Sequence, residues 1–174
     1  MATTTNTYAS TIVPMATIAM NYAKAVCAGI DEKQFGRKPE GVDCNTPAWV
    51  IGHLAIYPDR VLELIGRGDI ARTDERYQEL FKASTNAVDD ADGSYYPPMQ
   101  ELVDRFVSRT EAALEAIATV DAGALEAENP AEGRFKEMFP TVGAACGFLL
   151  CGPTMMHLGQ ISTWRRCMGL GSAM

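Results

Sequence analysis

Apolar residues recur at intervals of three and four along four long stretches of this chain. That spacing places the apolar side chains on one face of a helix. The first stretch runs from Thr11 to about Gly29 and contains Ile12, Met15, Ala16, Ala19, Met20, Ala23 and Val26. Pro14 is tolerable in the first turn of a helix, where its missing N–H costs no hydrogen bond. We therefore predict an amphipathic helix over this stretch.

The second apolar stretch opens with a signal for the start of a helix. Thr46 offers a capping hydroxyl, and Pro47 suits the first helical position. The apolar positions continue to Ile65 and place His53 on the apolar face. Pro58 lies inside the run, where it removes one backbone hydrogen bond. We predict one helix that begins at Pro47 and kinks just beyond His53.

The third and fourth apolar stretches predict two more long helices. The third runs from Met99 to Val120, after a Tyr-Pro-Pro stop, and the fourth runs from Pro140 to Met168. His157 lies on the apolar stripe of the fourth helix. Pro153 interrupts the same helix, because proline cannot bond to the carbonyl four residues before it. We predict a kink one turn before His157.

The connections between these stretches are polar and rich in helix-breaking residues. They span residues 29–45, 67–97 and 121–138, and only Tyr77 to Phe81 shows a brief helical pattern. No stretch shows convincing β alternation. The pattern predicts an all-α fold, a four-helix bundle with long crossover connections between the second and third and the third and fourth helices. We expect a single domain over residues 1–174.

Charge and cysteine usage narrow the class of protein. The formal net charge is −7, so no global positive field would attract nucleic acid. Five cysteines form no CxxC pair, which favours reduced thiols over a disulfide framework. The N-terminus lacks the basic region of a signal peptide, and no uninterrupted apolar run of about 18 residues occurs. We predict a cytoplasmic protein with neither a nucleic-acid partner nor a membrane partner.

The two histidines, His53 and His157, are the main candidates for chemistry. Ligand and metal sites in helix bundles are built from inward-facing side chains, and both histidines lie on apolar stripes. Two imidazoles from different helices can share zinc, nickel or iron. The alternative is that each histidine is a hydrogen-bonded core residue. No third ligand stands at a suitable helical spacing, because Cys146 lies about three turns from His157 and both Cys151 and Asp59 lie off-face.

Two segments of the chain resemble a known family. One is N-T-P-A-W-V-I-G-H-L-A, from Asn45 to Ala55. The other is F-P-T-V-G from Phe139, followed by H-L-G-Q-I-S-T-W-R-R from His157. Together they resemble the DinB/YfiT-like superfamily of four-helix metalloenzymes, over essentially the whole length of the chain. The resemblance implies the four-helix bundle of that superfamily.

The resemblance implies metal-ligand roles for His53 and His157. Superfamily members typically hold a divalent ion with one histidine on the second helix and two on the fourth, spaced HxxxH. Pro153 stands where the first histidine of that pair is expected, and proline has no lone pair for a metal. We expect a degenerate site that holds zinc or nickel weakly or not at all. The residues that we expect to line the pocket are Trp49, Tyr57, Pro153 and Gln160.

Two functions remain open from the sequence. The resemblance implies a metal-dependent transferase or hydrolase, in which the ion activates water or a low-molecular-weight thiol. The alternative, motivated by Pro153, is a non-catalytic bundle without bound metal that binds a small molecule or serves as a dimeric interaction module. Catalytic residues are unassigned in both cases. The resemblance also implies a homodimer.

Overall fold

The computed structural model describes residues 7–173, and all regular secondary structure in that range is helical. The α-helices there are α1 Thr7–Cys27, α2 Glu32–Phe35, α3 Pro47–Leu54, α4 Tyr57–Leu64, α5 Glu75–Phe81, α6 Met99–Thr119, α7 Ala122–Glu126, α8 Gly133–Met138 and α9 Val142–Cys167. A 3-10 turn covers Gly68–Ile70. The prediction of an all-α fold is confirmed.

Four long helical segments form the bundle, and the contacts between them give the helix directions. These segments are α1, the pair α3 and α4, α6, and α9. The ring of Tyr8 fills the space beside Gly143, and Ile12 lies against Gly147, so α1 and α9 run parallel. The first half of α6 packs with the end of α1 and its second half with the start of α1, so α6 runs antiparallel to both. The pair α3 and α4 runs in the direction of α6.

The apolar core forms two clusters along the bundle axis. The first cluster includes Val26, Trp49, Phe81, Phe106, Leu158 and Trp164. The second cluster includes Ile12, Leu62, Ile117, Leu125 and Leu149. Helices α1, α6 and α9 contribute to both clusters, whereas α3 contributes to the first and α4 to the second. The boundary between the clusters therefore coincides with the break between α3 and α4.

The connection from α4 to α6 has to return along the bundle, because these two helices run in the same direction. The return brings α5 against α3, and it adds Tyr77, Phe81, Ala87 and Tyr96 to the first cluster. The connection from α6 to α9 stays at the end of the second cluster, where Leu125 is buried and Glu128 forms a β-bridge with Thr141. The first of these connections brings the chain to His53.

The predicted second helix consists of two helices in the structure. Helix α3 ends at Leu54 and α4 begins at Tyr57, so the chain turns where a kink was predicted. Pro58 is the second residue of α4, where its missing N–H costs no helical bond. The predicted cap is present, because the hydroxyl of Thr46 accepts the backbone N–H of Trp49 at 3.3 Å.

Two expectations about helix limits were wrong. The first helix begins at Thr7, so Pro14 lies in the helix interior and not in its first turn. The region 121–138, predicted as a loop, contains α7 and α8. Helix α7 is capped by the carboxylate of Asp121 and buries Leu125. Helices of five or six residues are too short to show apolar periodicity, which explains why the sequence pattern missed them.

Helix α9 continues through Pro153 without a break in its assignment. Thr141 caps its start by accepting the backbone N–H of Ala144 at 3.2 Å. Within the described residues, α9 is also the one helix long and apolar enough to cross a membrane, with a mean hydropathy of 1.3. However, 56% of that segment is buried inside the bundle. Such burial is typical of the core helix of a globular domain.

Candidate functional site

His53 lies in α3 at the point where the returning chain packs against that helix. Its Nδ1 lies 2.6 Å from the backbone oxygen of Phe81, the last residue of α5. The close approach depends on Gly52, because a Cβ atom there would overlap the Phe81 ring. A carbonyl oxygen can only accept a hydrogen bond, so Nδ1 carries the proton of the neutral imidazole.

Tyr57 forms a hydrogen bond with the other ring nitrogen of His53. Its hydroxyl oxygen lies 2.8 Å from Nε2. Because Nε2 is the acceptor in this tautomer, the hydroxyl donates the hydrogen bond. Tyr57 is the first residue of α4, so the turn between α3 and α4 sets its position. Both nitrogens of His53 therefore have hydrogen-bond partners.

His157 meets His53 from α9. Its Nδ1 lies 2.9 Å from Oε1 of Gln160, which is almost one helical turn further along. The same oxygen accepts a hydrogen bond from Nδ2 of Asn45 at 3.0 Å. Since an amide oxygen is an acceptor, Nδ1 of His157 is a donor as well. With Nδ1 as the donor, Nε2 is left as the nitrogen that can accept from a ligand.

The two imidazole rings belong to one buried aromatic cluster. Their centroids are 4.9 Å apart, and their planes meet at 78°. Trp49 stacks on His53 at 4.7 Å and meets the ring of His157 edge-on at 5.9 Å. Its indole N–H donates to the hydroxyl of Thr85 at 3.0 Å. The histidines are only 3% and 7% exposed, so solvent has little access to either ring.

Burial favours the uncharged forms of His53 and Tyr57. It lowers the pKa of His53 below its ordinary value, an effect that the Phe81 carbonyl opposes and His157 reinforces. Burial also raises the pKa of the Tyr57 hydroxyl, although the nearby charge of Arg60 acts in the opposite direction. Near pH 7 the pair is therefore a neutral imidazole and a neutral phenol, which agrees with the hydrogen bond between them.

The donor set does not fit a tightly held catalytic ion. Catalytic zinc has three protein ligands and one open position. Within residues 7–173, no three His, Cys, Asp or Glu side chains converge on one point. Pro153 stands one turn before His157, and Tyr57 already bonds to Nε2 of His53. The site thus offers a metal ion two imidazoles, one of which already accepts a hydrogen bond from Tyr57. The described residues add no third His, Cys, Asp or Glu ligand.

A cavity of about 740 Å³ lies beside Gln160. Its lining includes Lys38, Asp43, Cys44, Asn45, Asn86, Gln160, Thr163, Trp164 and Cys167. Gln160 belongs to both places, because its oxygen accepts from His157 while its side chain lines the cavity. The histidine cluster and the cavity are therefore connected by one amide side chain.

The structure brings together most of the residues singled out from the sequence. Trp49, Tyr57 and the two histidines form one cluster, and Gln160 joins it to the cavity. Of the four residues expected to line a pocket, Gln160 lines this cavity, whereas Trp49, Tyr57 and Pro153 do not. Pro153 is buried in α9.

Asn45 and Phe81 also hold the site, although neither was predicted to do so. Asn45 begins the motif on which the resemblance rests, which is a signal that could have found it. Phe81 contributes a backbone oxygen, and no pattern of side chains reveals such a contribution.

The fold and the site define a class of protein, an all-α bundle in which a histidine of the second long helical segment meets a histidine of the last helix. A family model described as the DinB superfamily matches residues 17–161. The match includes both histidines and Gln160, and the chain belongs to the DinB superfamily. Comparisons with curated proteins and with solved structures found no match.

Proposed function

We propose that this DinB superfamily protein binds a small polar molecule in the cavity beside Gln160 and works without a tightly held metal ion. The hydrogen bond of 2.8 Å from Tyr57 to Nε2 of His53 carries the proposal. That bond uses the lone pair through which His53 would bind a metal. Pro153 removes a further ligand position, so the set of available nitrogens falls below the number in working catalytic sites.

The cavity lining supports a ligand that is small, uncharged and able to form hydrogen bonds. The polar side chains there are mostly neutral and comprise Asn45, Asn86, Gln160 and Thr163. Trp164 adds a flat apolar surface, and the charges of Lys38 and Asp43 neutralise each other in an ion pair. Pockets that combine an apolar wall with a few placed polar groups are typical of small-molecule sites.

Binding in the cavity would be transmitted to the histidines through Gln160. Its oxygen accepts hydrogen bonds from Asn45 and from His157. A ligand that takes over either bond changes the orientation of the His157 ring, which contacts His53 and Trp49. The histidine cluster then serves as a buried, hydrogen-bonded support for Gln160, which lines the ligand site.

Metal titration tests the proposal that no metal ion is tightly held. We expect tag-free protein to retain less than about a tenth of an equivalent of zinc or nickel after dialysis. Pro153→His restores a ligand one turn before His157 and should raise zinc affinity at least about 100-fold, more than second-shell changes do. Pro153→Ala is the matched control, because it removes the same proline without adding a ligand. Stoichiometric zinc in the wild-type protein would overturn the proposal.

The two tryptophans test the proposal that a small polar molecule binds in the cavity. Trp164 lines the cavity, whereas Trp49 does not. In NMR spectra, neutral fragments that carry amide or hydroxyl groups should shift the indole N–H signal of Trp164 more than that of Trp49. Gln160→Ala should weaken binding of the same fragments. Fragments that shift neither indole signal at millimolar concentration, or that bind equally well to Gln160→Ala, would count against this site.

A metal-dependent thiol transferase or hydrolase is the second candidate. One observation favours it: both Nδ1 atoms bind acceptors, so the lone pairs of both rings are on Nε2, as in metal sites with an ordered second shell. It requires the Tyr57 hydroxyl to turn away from His53. Turnover of a low-molecular-weight thiol substrate that depends on added zinc or nickel, and is lost in His157→Ala, would establish it.

We also propose that two copies associate through the parallel pair α1 and α9, in the cytoplasm. Met15 is 53% exposed, Ile18 65% and Met155 47%. Met15 also borders an apolar groove of about 400 Å³ that Phe148 and Cys151 line. Exposed apolar side chains at neighbouring positions are typical of interfaces. Light scattering should give twice the monomer mass for the wild type and the monomer mass for Ile18→Glu.

A further inference from the structure

The five cysteines fall into three groups by environment, and within residues 7–173 none forms a disulfide. Cys27 and Cys146 are buried, and burial raises the pKa of each thiol to about 12. Such thiols stay protonated and react slowly. Cys151 is half-buried in the groove between α1 and α9. Cys44 and Cys167 both line the cavity beside Gln160, so two thiols face one space that small molecules can enter.

Two hydrogen bonds hold the segment that carries Cys44 along the last turns of α9. At one end of this segment the backbone oxygen of Arg37 accepts from the Trp164 indole at 2.8 Å. At the other end Asn45, the neighbour of Cys44, donates to Gln160 at 3.0 Å.

Gln160, Trp164 and Cys167 occupy one stripe of α9, at spacings of four and three. The segment that carries Cys44 therefore runs beside the stripe that ends in Cys167.

Cys44 and Cys167 line the same cavity. Burial raises the pKa of Cys44, charges on Cys167 and Asp43 raise it further, and Lys38 lowers it. Both backbones can also adjust, because Cys44 belongs to the non-helical segment before α3 and Cys167 is the last residue of α9. A disulfide needs Cα atoms within about 7 Å.

We propose that Cys44 and Cys167 form a redox-active dithiol that a low-molecular-weight disulfide oxidises to an intramolecular disulfide. Cys167 is the exposed member and attacks first. Its thiolate bonds to one sulfur of the small disulfide, whose S–S bond breaks, and the first small thiol leaves with the proton lost by Cys167. The Cys44 thiolate then attacks the sulfur of Cys167 and releases the second small thiol with its own proton. The protein loses two electrons and two protons, and the small disulfide gains them.

The new bond would tie the segment before α3 to the end of α9, across one wall of the cavity. It would therefore restrict entry to the ligand site and connect that site to the redox state of the surrounding thiols. This chemistry depends neither on a metal ion nor on the ligand of the proposed function. Its failure would leave that function untouched, and metal or ligand results would leave the dithiol untouched.

Oxidised glutathione is the probe that tests the dithiol. Fully reduced protein is incubated with it in the absence of oxygen, remaining thiols are alkylated, and the products are read by intact mass and peptide mapping. We expect the wild type to lose two alkylatable thiols and to yield one peptide pair linked through Cys44 and Cys167. Cys44→Ser should stop at a glutathione adduct on Cys167. Cys167→Ser should react at least about tenfold more slowly, because the accessible nucleophile is gone.

Cys151→Ser is the matched control, since that thiol is half-buried but lines a different groove. It should behave like the wild type, and circular dichroism should show equal helix content for all three serine variants. The proposal is overturned if the wild type accumulates only a glutathione adduct on Cys167, or if oxidation links two chains through Cys167 in place of the internal bond.

Discussion

The hydrogen bonds of His53 fix its orientation and its tautomer. Phe81 accepts from Nδ1 and Tyr57 donates to Nε2, so the neutral ring satisfies both partners. A protonated ring has a donor at both nitrogens, so the Tyr57 hydroxyl would have to turn and accept from Nε2. Burial of the ring disfavours the charged form and lowers its pKa, and His157 adds to this effect, whereas the Phe81 carbonyl opposes it.

Acid should therefore destabilise the protein through His53. Its pKa is lowered in the folded state, whereas in the unfolded chain it titrates near the ordinary value of about 6.5. As the pH falls below about 6.5, the unfolded state takes up the proton first, and the free energy of unfolding decreases by up to about 1.4 kcal/mol per pH unit. Urea unfolding at pH 7.5, 6.5 and 5.5 measures the decrease. His53→Gln should flatten the profile over this range, and an unchanged slope would contradict the assignment.

At the scale of elements, a buried ion pair joins two helices that also share the second apolar cluster. Asp59 of α4 and Arg109 of α6 form an ion pair with an Nε to Oδ1 distance of 2.7 Å, and both are almost fully buried. Arg109 also donates to the backbone oxygen of Ile70, and Asp59 accepts the backbone N–H of Arg72. The pair thus holds the start of the returning connection against the bundle.

Removal of one partner from this ion pair should be strongly destabilising. Arg109→Met leaves the buried Asp59 carboxylate with only the more distant guanidinium of Arg105, at 3.7 Å. The cost should be about 3 kcal/mol in the free energy of unfolding, the lower end of the range for a broken buried pair. Arg67→Met is the control, because its ion pair with Asp69 is exposed to solvent and should contribute little to stability. Chemical denaturation measures both values. Equal small losses would show that the buried pair has no special role in fixing the connection.

The contact of α3 with α5 depends on the absence of a side chain at Gly52. Gly52→Ala would force a Cβ atom into the ring of Phe81. We expect a loss of about 1–3 kcal/mol, as for other overpacked cores, and a displaced Phe81 carbonyl. Gly159→Ala adds a methyl group to α9 where no atom lies within 4 Å, so it should be neutral or slightly stabilising. Thermal unfolding compares the two, and the His53 Nδ1–H signal in NMR reports the displaced carbonyl.

At the scale of the whole molecule, three long helices span both core clusters. Because α1, α6 and α9 contribute to each cluster, neither cluster can lose its packing without disturbing the other. The break between α3 and α4 divides only one of the four long helical segments of the bundle. This arrangement favours one cooperative domain over two independent halves.

Cooperativity can be tested because both tryptophans, Trp49 and Trp164, lie in the first cluster. Tryptophan fluorescence therefore reports that cluster, whereas far-ultraviolet circular dichroism reports all helices. We expect urea midpoints that coincide within about 0.3 M, as for a two-state domain. A fluorescence transition that clearly precedes the loss of helix would show that the two clusters unfold separately.

The sequence by itself determined the helical character of this protein and the faces that its histidines occupy. Apolar periodicity over about twenty residues located α1, α6 and α9, and the Thr46 hydroxyl marked the start of α3. These features are local, because a cap or a repeat of 3.6 residues involves neighbours along the chain. The segments around His53 and His157 together also led to the correct superfamily, and Pro153 raised the doubt about its metal ligands.

Only the tertiary structure decided how the site is held together. The backbone oxygen that meets His53 comes from Phe81, 28 residues away, and the amide that joins His157 to the cavity is fixed by Asn45, 115 residues before Gln160. A carbonyl oxygen is the same on every residue, so no sequence pattern marks the one that will be used. The position of Tyr57 depends likewise on a turn that the prediction replaced by a kink. Long-range contacts of this kind exist only once the helices have packed.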